Sequence, residues 1–170
     1  VYAIEGGPVI DVARELAVDA QQLGLHFMDA PVSGGQAGAE NGQLAIMVGG
    51  DADTFARVEP VMAAYAKRSK LIGGVGAGQL TKMVNQICIA GLVQGLSEAV
   101  AFGQRAGLDM NLVLDVIGRG AAQSCQLDIR GKTLVTGQFV FGFAVDGMRK
   151  DLGLVLDVAH RNGARLPVTA

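Results

Sequence analysis

A long amphipathic segment near the middle of the chain constrains the fold more than any other feature. From Gln79 to Ala106, apolar residues recur at spacings of three and four, which predicts a helix roughly 42 Å long. The run Gly73-Gly-Val-Gly-Ala-Gly78 leads into this helix. Because its length is about the width of a small domain, we expect the helix to connect two parts of the fold.

The segments on either side of this helix differ in character. Before it, strands and helices alternate, which is typical of an α/β layer; after it, every predicted element is helical. The predicted early elements are a helix from Asp11, as N-cap, to Gly24, strands over 25–30, 43–48 and 70–72, and a helix from Asp51 interrupted at Pro60. The predicted late helices are 109–117, 121–135 and 145–162. We therefore expect two domains, over residues 1–75 and 76–170.

The composition excludes several classes of protein. Half of the 170 residues are apolar, 18% are charged and the net charge is −2, which indicates a globular protein and argues against binding nucleic acid through phosphate contacts. The longest apolar-rich segments contain Lys, Gln, Asn or Glu, so none is predicted to span a membrane, and no signal peptide pattern opens the chain. We expect no membrane partner and a cytoplasmic location. Neither cysteine lies at metal-ligand spacing, no metal site is predicted, and Cys88 is expected in the core.

Three polar residues lie on the first turns of the long helix. Lys82, Asn85 and Gln86 are three and four positions apart, so their side chains share one face. Leu80 and Val84 are expected to face the core beside them. A lysine buried at such an edge tends to lose its proton and could act as a general acid and base. The alternative is an exposed lysine on a solvated face.

Two further segments are candidates for binding. Ser33-Gly34-Gly35 follows a strand and a proline, so backbone amides there could bind an anion, although an ordinary tight turn has the same composition. Phe143 and the pair Lys150-Asp151 flank or enter the last helix. Taken alone, they read as a packing aromatic residue and two solvated charges.

The order and spacing of these motifs resemble the β-hydroxyacid dehydrogenase family. Within it, the resemblance is greatest to the 3-hydroxyisobutyrate dehydrogenases and the tartronate semialdehyde (2-hydroxy-3-oxopropionate) reductases. The matching segments are Asp29-Ala-Pro-Val-Ser-Gly-Gly35, Met47-Val-Gly-Gly-Asp51, Gly76-Ala-Gly-Gln-Leu-Thr-Lys-Met-Val-Asn-Gln86, Glu98-Ala99, Gly142-Phe143 and Lys150-Asp-Leu152.

The resemblance implies a fold and a set of roles. It implies part of a Rossmann-type cofactor domain, joined by the long helix to a helical domain like that of 6-phosphogluconate dehydrogenase, and NAD or NADP as cofactor. The catalytic residue would be Lys82, and Lys150 would contact the cofactor. The residues that would bind a small carboxylate substrate are Ser33, Gly34, Gly35, Asn85, Gln86, Phe143 and Asp151.

The sequence lacks a G-x-G-x-x-G fingerprint after a strand. We therefore expect the chain to be a fragment, or the ordered part, of a longer protein whose cofactor domain begins upstream. The apolar helices exceed what half a domain can bury, which favours a homodimer or homotetramer. Alternative functions are a succinic or glyoxylic semialdehyde reductase and a truncated, non-catalytic oligomerisation module. Retention of Lys82 argues against imine reductases and pseudoenzymes.

Overall fold

The structure is a computed structural model that describes residues 9–140 and 142–170. Predictions that concern residues 1–8 lie outside the described part. The elements, in chain order, are α1 (Val9–Gln22), β1 (Met28–Asp29), β2 (Val32–Ser33), α2 (Gly35–Glu40), β3 (Leu44–Gly50), α3 (Ala52–Met62), β4 (Ala66–Gly73), α4 (Ala77–Arg105), α5 (Met110–Ile117), α6 (Cys125–Thr136) and α7 (Val145–Asn162).

The sheet is built around β3, the most apolar strand. β4 pairs with it in parallel, while β1 and β2 pair antiparallel along its other edge, one after the other. Pro31 separates β1 from β2, and its carbonyl still accepts a hydrogen bond from the Met47 amide at 3.0 Å. Ile46 and Val48 of β3 are buried and form a core with Met62 of α3. The end of β1 and the start of β2 therefore lie at one edge of this small sheet, where later elements can contact them.

A second core lies among the helices. Leu96 and Val100 of α4 are buried against Met110 and Leu114 of α5 and against α6. Gly103 allows α5 to approach closely, because a Cβ atom at this position would overlap the Met110 sulfur. α4 thus contacts the sheet through one part of its length and α5, α6 and α7 through others. The division of the chain at residues 75 and 76 stays a prediction.

The predicted elements agree in type with the structure, whereas several bounds differ, and β2 and α2 were not predicted. α1 already includes Val9, so Asp11 lies in its first turn and is not its N-cap. α3 runs unbroken through Pro60, because a proline near the end of a helix removes only one of the last hydrogen bonds. The strand predicted over residues 25–30 is reduced to β1, the one predicted over 70–72 extends to the eight residues of β4, and the helix predicted from 121 begins at Cys125.

In the first turns of α4, the face that packs inward differs from the predicted face, whereas Leu96 and Val100 further along are buried as their spacing indicates. Cys88 is exposed, and 39% of Leu80 and 60% of Val84 remain accessible, so their predicted core positions are wrong. Instead, the buried residues of its first turns include Gly78 and Gln86. Apolar periodicity predicts that the most apolar stripe is buried. The sheet instead packs against the side where Gly78 allows close approach and where polar side chains form hydrogen bonds.

α4 is long and apolar enough to span a membrane, by length and composition only, which the sequence analysis did not anticipate. These two properties do not distinguish a spanning helix from the central helix of a soluble fold. In the described part of this protein, α4 contacts β1, β3, β4 and the helices α1, α5, α6 and α7. Two of its polar residues, Lys82 and Gln86, are bonded to β2 and α7, which is the arrangement of a central helix.

Candidate active site

Asp29 fixes where α4 begins. The helix has Gly76 as its N-cap residue, with φ of 92° and no side chain to cap the helix. The buried carboxylate of Asp29 takes that role from β1: Oδ1 accepts the Gly76 amide at 2.7 Å and Oδ2 accepts the Gln79 amide at 2.8 Å. A carboxylate at this end also interacts favourably with the helix dipole. The first turns of α4 are thereby held against the sheet.

Lys82 follows on the same side of α4 as Gly78 and lies where β2, α4 and α7 meet. Its ammonium group donates to the backbone carbonyl of Val32 in β2 at 2.9 Å. Partial burial is the main cause that lowers the pKa of Lys82 below its ordinary value; Asp151 opposes this effect and Lys150 adds to it. A half-buried lysine with a lowered pKa and one backbone partner is suited to giving and taking a proton.

A chain of hydrogen bonds runs from α4 to α7 beside Lys82. The Asn85 side chain donates from Nδ2 to Gln86 Oε1 at 2.9 Å, and Gln86 Nε2 donates to Asp151 Oδ2 at 2.7 Å. The Lys150 ammonium lies 3.3 Å from Asp151 Oδ1. Gln86 is only 3% exposed, so both ends of its amide are used inside the protein. The structure therefore brings together two pairs of neighbouring residues, one on α4 and one on α7, that are far apart in the sequence.

The Ser33-Gly34-Gly35 segment turns from β2 into α2. Ser33 is half-buried and pairs with Ala45 of β3. Gly34 and Gly35 both have positive φ, at 132° and 61°, values that non-glycine residues rarely adopt. A side chain at Gly35 would meet no atom within 4 Å, so the backbone there is open to a ligand. Since Ser33 follows Val32, this turn begins next to the carbonyl that holds Lys82.

Phe143 takes no part in this hydrogen-bond network. Its ring is 56% exposed and packs over Gly147, where a Cβ atom would approach the ring to 2.8 Å. Gly147 lies four residues before Asp151, so Phe143 covers the same face of α7 one turn earlier. Two shallow depressions elsewhere on the surface, of about 370 and 270 Å³, are lined by α3 with β4 and by α3 with His26 and Met28, and neither includes Lys82.

Sequence reasoning did not find two of the groups that build this site. Asp29 was noted only as the start of a motif, and its capping role depends on a contact 47 residues along the chain. A glycine-rich helix start with no capping side chain was the available signal, because such a start needs an acceptor from elsewhere. The Val32 carbonyl left no signal, since backbone acceptors carry no residue identity.

Two models of dehydrogenase families together match residues 3–170 of this chain. Residues 76–170 match the model described as the NAD-binding domain of NADP-dependent 3-hydroxyisobutyrate dehydrogenase. Residues 3–76 match that of the NAD-binding domain of 6-phosphogluconate dehydrogenase. The chain belongs to the β-hydroxyacid dehydrogenase family.

Similar proteins of bacteria extend this result. The chain is 61% identical over 160 residues to an uncharacterised oxidoreductase of Shewanella frigidimarina, covering 94% of this chain and 55% of that protein. It is 37% identical to the 2-hydroxy-3-oxopropionate reductase of Escherichia coli, covering 99% and 60%. The crystal structure of 3-hydroxyisobutyrate dehydrogenase from Salmonella typhimurium superposes with a TM-score of 0.82 at 35% identity, over 92% of this chain and 55% of that one. The chain spans somewhat more than half the length of these relatives.

The fold is therefore part of a Rossmann-type domain, joined through α4 to a helical domain like that of 6-phosphogluconate dehydrogenase, and the cofactor is NAD or NADP. The residues present suit the nicotinamide and substrate end of such a cofactor. When all are ionised, Lys82, Lys150 and Asp151 carry two positive charges and one negative charge, leaving one net positive charge for anionic groups. The glycine fingerprint that binds a pyrophosphate is absent from the 170 residues.

Proposed function

We propose that the whole protein is an NAD(P)-dependent oxidoreductase that interconverts a small β-hydroxy acid and its semialdehyde. The substrate would be of the 3-hydroxyisobutyrate or tartronate semialdehyde type. The observation that carries the proposal is the half-buried Lys82 with its lowered pKa, bonded to Val32 beside the open Ser33-Gly34-Gly35 turn. The names of the Escherichia coli and Salmonella relatives support the substrate class.

Lys82 is the general acid and base in this proposal. In the reductive direction its ammonium group gives a proton to the carbonyl oxygen of the semialdehyde, and in the oxidative direction the neutral amine takes the proton from the hydroxyl group. A pKa lowered toward the working pH makes both forms accessible. The bound cofactor supplies the hydride chemistry, while the protein orients the groups.

The other residues hold the substrate and the cofactor. Ser33 and the amides of Gly34 and Gly35 bind the substrate carboxylate, since the first amides of a helix have no acceptor within that helix. Asn85 and Asp151 contact the polar part of the substrate, and the Phe143 ring closes one side. Lys150, 65% exposed in its side chain, is the cofactor contact. The carboxylate needs no metal ion for binding, because the Ser33 hydroxyl group and the backbone amides supply the donors.

Association into a homodimer or homotetramer is part of the proposal. The accessible apolar stripe of α4, together with Phe102 at 73% and Val116 at 71% exposure, supports burial against another copy. A cytoplasmic location stays a prediction.

The test is a steady-state assay of the full-length protein with NAD⁺ or NADP⁺ and a panel of small β-hydroxy acids, alongside Lys82→Ala. Loss of a positioned general acid and base is expected to lower kcat by about 10²–10⁴-fold. Lys67→Ala is the matched control, because Lys67 is exposed on β4. Activity of Lys82→Ala within a few fold of the unmodified protein would rule out the assigned role of Lys82. The proposed substrate class would fail if no β-hydroxy acid supported reduction of the cofactor.

A further inference from the structure

The buried carboxamide of Gln86 forms a hydrogen bond inside the protein at each of its two ends. An ionised carboxylate can only accept hydrogen bonds, so the Gln86 atom facing Asp151 is Nε2, the donor. This orientation turns Oε1 toward the side chain of Asn85, whose Nδ2 donates to it. Both partners thus fix the same orientation of the amide. With 3% of the residue accessible, Gln86 is bonded to both Asp151 and Asn85.

Asp151 is the acidic group that raises the pKa of Lys82, and the two side chains are not bonded to each other. The described residues show Lys82 bonded to Val32 and Asp151 bonded to Gln86 and Lys150. The Lys150 side chain is 65% exposed, and exposed ion pairs hold a geometry weakly. The bond from buried Gln86 is therefore the one that determines where the Asp151 carboxylate points.

We propose that Gln86 is a positioning residue that anchors the Asp151 carboxylate to α4 and so prevents it from forming an ion pair with the Lys82 ammonium. This inference rests on the proposed role of Lys82. A lysine in an ion pair is held as ammonium and is occupied by its partner, so it neither accepts a proton readily nor turns toward a substrate. Anchoring Asp151 leaves the ammonium group on a neutral carbonyl, which it can leave when a substrate oxygen arrives.

The charged groups that act on Lys82 from its surroundings come from one element. Asp151 and Lys150 both belong to α7, the former raising and the latter lowering the pKa of Lys82, while burial makes the largest contribution and lowers it. β2 presents the neutral Val32 carbonyl. Freeing Asp151 is therefore expected to strengthen the one influence that raises the pKa of Lys82.

The test uses full-length protein with ¹³C-labelled lysine, in which the Cε signal of Lys82 is followed against pH by NMR and assigned by its loss in Lys82→Ala. Gln86→Leu removes the anchor, and the midpoint of the Lys82 titration is expected to move upward. Gln86→Asn, one methylene shorter and better tolerated, is expected to move it in the same direction. Gln94→Leu is the matched control, since Gln94 lies on the same helix and bonds only to Glu98 at the surface.

Asp151→Asn separates the anchor from other effects of the substitution. This change alone is expected to move the midpoint of the Lys82 titration downward, and adding Gln86→Leu is expected to change it no further. The proposal is overturned if Gln86→Leu and Gln86→Asn leave the midpoint unchanged or lower it, or if Gln86→Leu still raises it when Asp151 is replaced. Because this readout needs no substrate, an inactive protein with the expected shifts would refute only the proposed reaction.

Discussion

Replacing Asp29 with alanine should remove both of the hydrogen bonds that cap α4. Its carboxylate is 4% exposed and accepts from the amides of Gly76 and Gln79. A hydrogen bond to a charged group contributes about 1.5–3 kcal/mol, so two such bonds amount to about 3–6 kcal/mol in the free energy of unfolding. Domains have about 5–15 kcal/mol in total. Asp29→Asn, which keeps one acceptor but presents an NH₂ group to the other amide, should cost about half as much.

The assay is equilibrium unfolding in urea, followed by far-ultraviolet circular dichroism. Asp109→Ala is the matched control, because Asp109 caps α5 with the same two-amide pattern, from Asn111 and Leu112, at an exposed position. An exposed cap contributes about 1 kcal/mol. If Asp29→Ala lowered the free energy of unfolding no more than Asp109→Ala does, the reasoning that burial makes this cap important would be refuted.

Two further changes test the packing and the charge of α4. Gly78→Ala places a Cβ within 2.7 Å of the Asp29 carbonyl and should lower the free energy of unfolding by an overpacking cost of about 1–3 kcal/mol. Gly95→Ala, where a Cβ meets no atom within 4 Å, should raise it. Equal effects would contradict the close approach at Gly78. Lys82→Met should raise the free energy of unfolding at pH 7, since burial lowers the pKa of this lysine and the folded state binds its proton less well than the unfolded state does. Below the pKa that Lys82 has in the folded state, its charge destabilises the fold by the full amount. This cost declines as the pH rises to 10.5, the ordinary value, so the gain in free energy of unfolding of Lys82→Met should vanish there. A gain independent of pH would exclude a charge effect.

The sequence predicted the types of the elements well and their bounds less well. The long helix, the Asp109-capped α5 and α7 ending before Gly163 were all recognisable, because apolar spacing, capping residues and terminal glycines are local signals. The extent of β4 was not, since its first residues, such as Lys67 and Arg68, are exposed and polar. Pairing with β3, which is a contact between distant parts of the chain, makes them a strand.

For the site, the sequence placed Lys82, Asn85 and Gln86 on one face of a helix, and the structure confirms their shared side. It did not reveal that this side faces inward, because Leu80 and Val84 form a more apolar stripe. The bond between Gln86 and Asp151 spans 65 residues and follows from how α7 packs on α4. Such a contact has no periodicity from which to predict it. The roles of these residues in binding remain predictions.

The bond between Lys82 and Val32 means that no single helix or strand contains this site in full. The donor lies on α4 and its acceptor 50 residues earlier on β2, while Asp151 arrives from α7. A helical segment excised from residue 76 onward would keep the lysine but exchange its carbonyl partner for water. Exchanging the sheet between relatives would likewise replace the surroundings of a proton donor whose own helix had not changed. Recombination between such proteins therefore has to preserve the contact between α4 and β2, because the reactive group and its environment are encoded in separate stretches.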